Sequence, residues 1–121
     1  MADELGYGQP MGGIAQTAFI VPDLRAAIDH WVKNCKAGPF FVLDHFLVPG
    51  QTYRGAESIA DITIAMGFAG HMLIELIQPL DDNPSVYQET IGHRGFGFHH
   101  FGLACADVDA ASRDYQQRGY V

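Results

Sequence analysis

Positive charge is scarce in this chain. Seven lysines and arginines stand against fourteen aspartates and glutamates, leaving a formal charge of −7. Such a surface repels nucleic-acid phosphates and acidic lipid headgroups, so neither nucleic acid nor a membrane surface is an expected partner. No apolar run approaches the roughly 20 residues needed to span a bilayer. The opening MADELGYGQPMGG has neither the basic region nor the apolar core of a secretory signal. Cysteine is nearly absent: Cys35 and Cys105 are the only two, each at an apolar position of its element. They read as buried free thiols of a protein in a reducing cytoplasm rather than as a disulfide. Cys-x-x-Cys, a P-loop, a Rossmann glycine pattern and a nucleophile elbow are all missing. Gly95-Phe96-Gly97 is a turn signal, since no helix opens directly after it.

What is present is the composition of a soluble globular domain: 121 residues, 48% hydrophobic and 17% charged, enough for a single core. Residues 1–12, Gly-rich and polar, read as a flexible arm. Residues 14–21 form a strand of β-branched and aromatic residues. Asp23 caps a helix whose Leu24, Ala27, Ile28, Trp31, Val32 and Cys35 make one apolar stripe. Gly38-Pro39 stops it. The pattern predicts further strands over 40–48, 58–68 and 71–78, with loops at 51–55 and 67–70. After a linker, Asn83 is expected to cap a short helix with Pro84 at its first position. Residues 92–97 lead into a last strand over 98–105 and a helix after Asp107.

The chain repeats itself once. IAQTAFIVPDLRAAIDHW, residues 14–31, aligns with FHHFGLACADVDAASRDY, residues 98–115, at a shift of 84. Gln16 falls on His100, Phe19 on Leu103, Val21 on Cys105, Asp23 on Asp107 and Trp31 on Tyr115. Two copies of one supersecondary unit imply a fold built by duplication. Module one, residues 13–78, reads β-α-β-β-β; residues 79–97 link it to a partial module two, residues 98–121. A second copy of equal extent would need roughly forty further residues. A half-built module leaves an open sheet edge and an uncovered apolar face, so the sequence reads as part of a longer protein.

Three residues carry candidate chemistry. Glu75, within LIELIQP, is an acid in an otherwise apolar strand, facing the same way as Leu73 and Ile77. An unpaired buried carboxylate is costly, so Glu75 must be ion-paired, solvated at an edge, or metal-bound. His99 and His100 are adjacent, so strand alternation sends them to opposite faces and only one can serve a site. The repeat selects His100, on the side of Phe98, and aligns it with Gln16. Without the repeat, a lone strand histidine such as His100 is more often structural than a ligand, and Gln16 is a weak ligand that can simply bond a neighbour. Together the three offer an amide oxygen, a carboxylate and an imidazole from three strands. That set suits Zn, Ni, Co, Mn or Mg and leaves positions open. A divalent ion there acts as a Lewis acid on a carbonyl oxygen, while Glu75 carries a proton to and from the adjacent carbon. His30, His45, His71 and His93 read as surface or supporting positions. Most of Phe40, Phe41, Phe46, Tyr53, Phe68 and Phe96 read as core, some as pocket lining. Arg54 and Arg94 are loop cations, either solvated or holding an anionic substrate group.

The pieces AQTAFIVPDLRAAIDHW, LIELIQP, PSVY and FGFHHFGLACADVDAA, in that order and spacing, resemble the vicinal oxygen chelate superfamily of glyoxalases, bleomycin-resistance proteins and extradiol dioxygenases. The resemblance covers residues 13–121. It implies an α+β fold of paired βαβββ modules curling into a cleft that holds a divalent metal. The ligand slots it implies fall on Gln16, Glu75 and His100, with a fourth, normally Glu, beyond Val121. The Gln–Glu–His order resembles zinc-type glyoxalase I and makes zinc the expected metal. It departs from the methylmalonyl-CoA epimerase pattern, which opens with His and has Gln in place of Glu75, although the remaining sequence resembles that branch. It departs also from the two His and one Glu of the dioxygenases. The implied function is a cytoplasmic lyase or isomerase working next to a carbonyl through a metal-chelated enediolate, on a small-molecule substrate, as a homodimer. The alternatives are an epimerase acting on an acyl-CoA and a metal-free small-molecule binding protein of the drug-sequestering type.

Overall fold

A computed structural model of the chain describes residues 10–121. Residues 1–9, most of the expected N-terminal arm, lie outside that range. The elements run β1 (Ile14–Ile20), α1 (Leu24–Cys35), β2 (Phe41–Leu43), β3 (Thr52–Tyr53), β4 (Ala56–Glu57), β5 (Ile62–Ala69), β6 (Met72–Pro79), α2 (Val86–Arg94), β7 (Gly97–Leu103) and α3 (Val108–Gln117). This is the expected α+β class. Five strands form one mixed sheet in the order β2-β5-β6-β1-β7, and β3 and β4 form a separate hairpin. No helix of the described residues is long and apolar enough to cross a membrane.

The core follows from the two faces of this sheet. On one face Leu24, Ala65, Ile74 and Leu76 are buried against Ala27, Ile28 and Trp31 of α1 and against Phe19 and Phe40. On the other, Ala18, Ile62, Ile64 and Ile77 are buried, with Met66 and Tyr87 of α2 packed on them. The interior strand β5 is therefore buried on both sides. Gly67 is where Phe40 seats: an added Cβ would lie 2.9 Å from the Phe40 ring and from the Pro39 carbonyl.

The repeat is visible in the backbone. Asp23 and Asp107 cap α1 and α3 with nearly identical dihedrals, −143°/107° and −140°/108°. Their side chains accept from the Ala26 amide at 3.0 Å and the Ala110 amide at 2.9 Å. The strands of the two copies, β1 and β7, pair antiparallel.

Several expectations change. The strand over 40–48 shrinks to Phe41–Leu43, because His45 takes a left-handed φ of 50° and turns the chain. Residues 52–57 make a hairpin where a loop was expected. Arg54 and Gly55, both at positive φ, supply its two-residue turn, a role sequence signals more clearly with Asn-Gly. The strand expected over 58–68 begins only at Ile62. Ser85, not Asn83, caps α2: its hydroxyl accepts from the Gln88 amide at 3.1 Å, while the Asn83 side chain donates to Asp81. Both cysteines are free but exposed rather than buried. The α1 stripe is covered from Leu24 to Trp31, whereas Val32 and Cys35 are exposed; Cys105 lies past the end of β7.

Candidate metal and proton-transfer site

The site is built on the sheet face that α1 leaves uncovered. Parallel pairing of β1 with β6 sets Ala18 beside Glu75 and Gln16 beside Leu73. Antiparallel pairing of β1 with β7 sets Ala18 beside His100 and Gln16 beside Gly102. Glu75, Ala18 and His100 thus form a row across three strands. Side chains directly opposite one another share a face, so the register puts Glu75, His100 and Gln16 on one face. Ala18 is small and fully buried; it is the floor over which Glu75 Oε2 and His100 Nε2 approach to 3.6 Å.

The duplication accounts for this placement. The 84-residue shift carries Gln16 to His100 and Ala18 to Gly102, and the register pairs Gln16 with Gly102 and Ala18 with His100. The two copies therefore meet about a local two-fold through the Thr17–Phe101 pair. Each polar side chain lies over the small residue of the other copy. The fit is close at Gly102, where a Cβ would lie 2.5 Å from Gln16 Oε1 and 2.9 Å from Gln16 Cβ.

The expectation that His99 faces away is overturned. The register shifts between Ala18↔His100 and Phe19↔Phe98, so His99 is an extra residue, a β-bulge. A bulge interrupts alternation. His99 and His100 then fall on the same side, with Nδ1 atoms 2.8 Å apart. Phe98, expected beside His100, instead contacts Phe19 and Phe101, on the α1 side of the sheet. His99 Nε2 is 3.3 Å from the Val86 carbonyl, and its ring lies 5.3 Å from that of Tyr87.

Electrostatics match this half-buried setting. Burial raises the Glu75 carboxyl above the usual carboxylate range. Burial also lowers both histidines, with His99 adding to the effect on His100. Tyr87 is raised by burial and by the Glu75 charge. The site thus favours neutral groups unless a cation compensates Glu75.

An amide oxygen, a carboxylate and an imidazole on one face are chemically suited to a borderline divalent ion. Two tetrahedral ligands at about 2.0–2.1 Å from zinc stand about 3.3 Å apart, close to the Glu75–His100 separation. Among the described residues no group of three His, Cys, Asp or Glu is arranged for a metal; Glu75 and His100 are the two of those types in this row, and Gln16 shares their face. A groove of about 730 Å³ lies elsewhere, beside Asp23, Leu24, Phe40 and Gln78.

The other candidates are engaged away from this row. Arg54 binds Glu89 of α2, which also accepts from Tyr53 Oη at 2.9 Å. Arg94 donates to the His99 carbonyl at 3.4 Å and covers the Phe98 ring. His45 bonds Asp61 at 2.6 Å and His30 bonds Asn34 at 3.0 Å. Tyr87 and His99 are the site neighbours that sequence reasoning missed. The PSVY helix was legible, but not the direction of its tyrosine.

Residues 15–121 match the profile of the glyoxalase/bleomycin resistance protein/dioxygenase superfamily. The chain belongs to this superfamily. Among solved structures, this superfamily domain is similar to methylmalonyl-CoA epimerase from Mycobacterium tuberculosis, at 21% identity and a TM-score of 0.64, covering 98% of this chain and 69% of that one. It is also similar to a variant of the Streptomyces coelicolor methylmalonyl-CoA epimerase in complex with 2-nitronate-propionyl-CoA (19%, TM-score 0.62, 92% and 72% covered). A hypothetical protein from Bacillus halodurans C-125 is a further neighbour (21%, TM-score 0.62, 88% and 67% covered). No curated protein matches. At these identities the structural likeness speaks for the fold alone.

Proposed function

We propose that this domain is a metal-dependent lyase or isomerase that moves a proton at a carbon next to a carbonyl. The observation that carries the reading is the half-buried Glu75 facing His100 across Ala18 at 3.6 Å, with Gln16 on the same face. A carboxylate oxygen and an imidazole nitrogen brought together on an apolar sheet need a proton or a cation between them. Gln16, Glu75 and His100 would hold the ion, with zinc the best match to the donor set. When bound it supplies Lewis acidity toward a substrate carbonyl.

This chain's residues then divide the remaining work. Glu75, already raised by burial, accepts the proton from the substrate carbon while the C–H electron pair moves toward the carbonyl oxygen. It returns the proton to the same or the neighbouring carbon. Ala18 keeps the floor low enough for substrate to sit above the strands. Tyr87 and Met66 cover the apolar flank and limit water.

The test is metal content of the purified protein and of Gln16→Ala, Glu75→Ala and His100→Ala. Each should bind less zinc, cobalt or nickel. Full occupancy in all three variants would sink the reading. The similarity to two methylmalonyl-CoA epimerase structures favours a second form of the chemistry, epimerisation of an acyl-CoA. It requires solvent deuterium to enter the α-carbon of an acyl-CoA in the presence of the metal-loaded protein. No exchange with acyl-CoAs, but exchange with an α-hydroxy carbonyl adduct, would favour the glyoxalase form.

A further inference from the structure

We infer that His99 is a positioning residue that fixes the proton of His100 on Nδ1 and so leaves the His100 Nε2 lone pair aimed at Glu75. The Val86 carbonyl can only accept a hydrogen bond. His99 Nε2, 3.3 Å from it, must therefore carry the hydrogen. In a neutral imidazole the other nitrogen is then an acceptor, so His99 Nδ1 presents a lone pair. His100 Nδ1, 2.8 Å from that lone pair, must donate. The remaining His100 nitrogen, Nε2, is left without hydrogen, and it is the atom 3.6 Å from Glu75 Oε2.

The device depends on the bulge. With regular alternation His99 would sit on the other face and could not touch His100. Because the register slips by one residue at His99, the sheet presents both rings together. The first turn of α2, whose Val86 carbonyl also accepts from Thr90 Oγ1 at 3.0 Å, becomes the anchor of the chain. Gly97, at φ 131°, begins the strand in a conformation that side chains rarely adopt.

The tautomers are a property of the metal-free protein, whereas their consequence for metal affinity rests on the metal reading above. Long-range ¹H–¹⁵N correlation on histidine-labelled, metal-free protein at about pH 8, above the ordinary histidine range, reads them directly. His99 should appear as the Nε2–H tautomer and His100 as the Nδ1–H tautomer. His100 found as Nε2–H overturns the inference. His99→Asn places an acceptor oxygen where Nδ1 stood and should keep the His100 tautomer. His99→Phe removes the acceptor and should release it. Titration with Zn²⁺ under a competing chelator should give His99→Asn an affinity near wild type and His99→Phe one about 10–100-fold weaker, the usual effect of losing a ligand's orienting partner. Equal Zn²⁺ affinity of His99→Phe and wild type, with His100→Ala impaired, also overturns it. Tautomers as stated in a protein that binds no Zn²⁺ would support this inference and refute the metal reading.

Discussion

Replacing Gly102 with alanine tests the local two-fold at its tightest point. Gly102 has no left-handed φ, so its backbone accepts an L side chain without strain. The obstacle is Gln16 across the β1–β7 ladder: the new Cβ would lie 2.5 Å from Oε1, 2.9 Å from Cβ and 3.3 Å from Cδ. The amide oxygen can swing away. Gln16 Cβ cannot, because β1 is held on its other side by β6 through the Gln16–Leu73 pair. Either the strands separate or the Gln16 side chain leaves the site face. Overpacking of this kind costs about 1–3 kcal/mol, and the stiffer unfolded chain returns about 0.4–1 kcal/mol. The net loss is about 1–2 kcal/mol, at about 4 °C in Tm for each kcal/mol in a domain of 121 residues.

Urea midpoints and thermal scans measure the loss, and Zn²⁺ titration measures whether Gln16 has moved. Gly92→Ala is the control: its Cβ meets nothing within 4 Å and it lies inside α2, so that change should stabilise by about 0.5–1 kcal/mol. Gly102→Ala matching wild type in both midpoint and Zn²⁺ affinity would refute the packing of Gln16 on Gly102, and with it the symmetric arrangement of the two copies.

Glu75→Gln should stabilise the metal-free protein by about 1 kcal/mol at a pH above the folded Glu75 pKa, since there it removes a half-buried charge that lacks a compensating proton or cation, while keeping shape. The pH dependence has a definite sign. The folded Glu75 is raised above its unfolded value, so the folded state binds more protons at this group and the Glu75 contribution to stability falls as pH rises from the usual carboxylate range through the folded pKa. The difference in denaturation midpoint between Glu75→Gln and wild type should therefore grow with pH over that window; parallel profiles would contradict the assignment. Asp23→Ala and Asp107→Ala each remove a cap worth about 0.5–2 kcal/mol, with different readouts. The α1 helix buries Leu24 against the core, whereas α3 buries no residue, so Asp23→Ala should lower the global urea midpoint and Asp107→Ala should only speed amide exchange within α3. Equal shifts in midpoint would show that α3 is part of the cooperative core.

Most of the architecture was legible because it rests on local signals. The apolar stripe from Leu24 to Trp31, the capping aspartates and the alternation in β6 each report their own environment. The β3–β4 hairpin was not legible, because it depends on Arg54 adopting a left-handed conformation that its residue type does not advertise. The exposure of Cys35 was missed for a different reason. A helical stripe shows which face is apolar, not how much of that face a neighbour covers.

The site divides the same way. The repeat aligns Gln16 with His100 and the pleat sets Glu75 with Leu73 and Ile77, but only the register of β1 with β6 and β7 puts the three on one face; parity along a strand is conserved until something breaks it. What breaks it is the bulge at His99, and a bulge is a count of residues on one strand against those on its neighbour. That count is fixed by where β1 and β7 are pinned: Gly97 opposite Ile20 at one end, Gly102 opposite Gln16 at the other. Between those pins β7 has one residue more than β1, and it is accommodated at His99, where the Val86 carbonyl and the Tyr87 ring receive the displaced imidazole. Alternation makes one of two neighbouring histidines redundant. The bulge makes them a pair, with the second facing Glu75 and the first behind it.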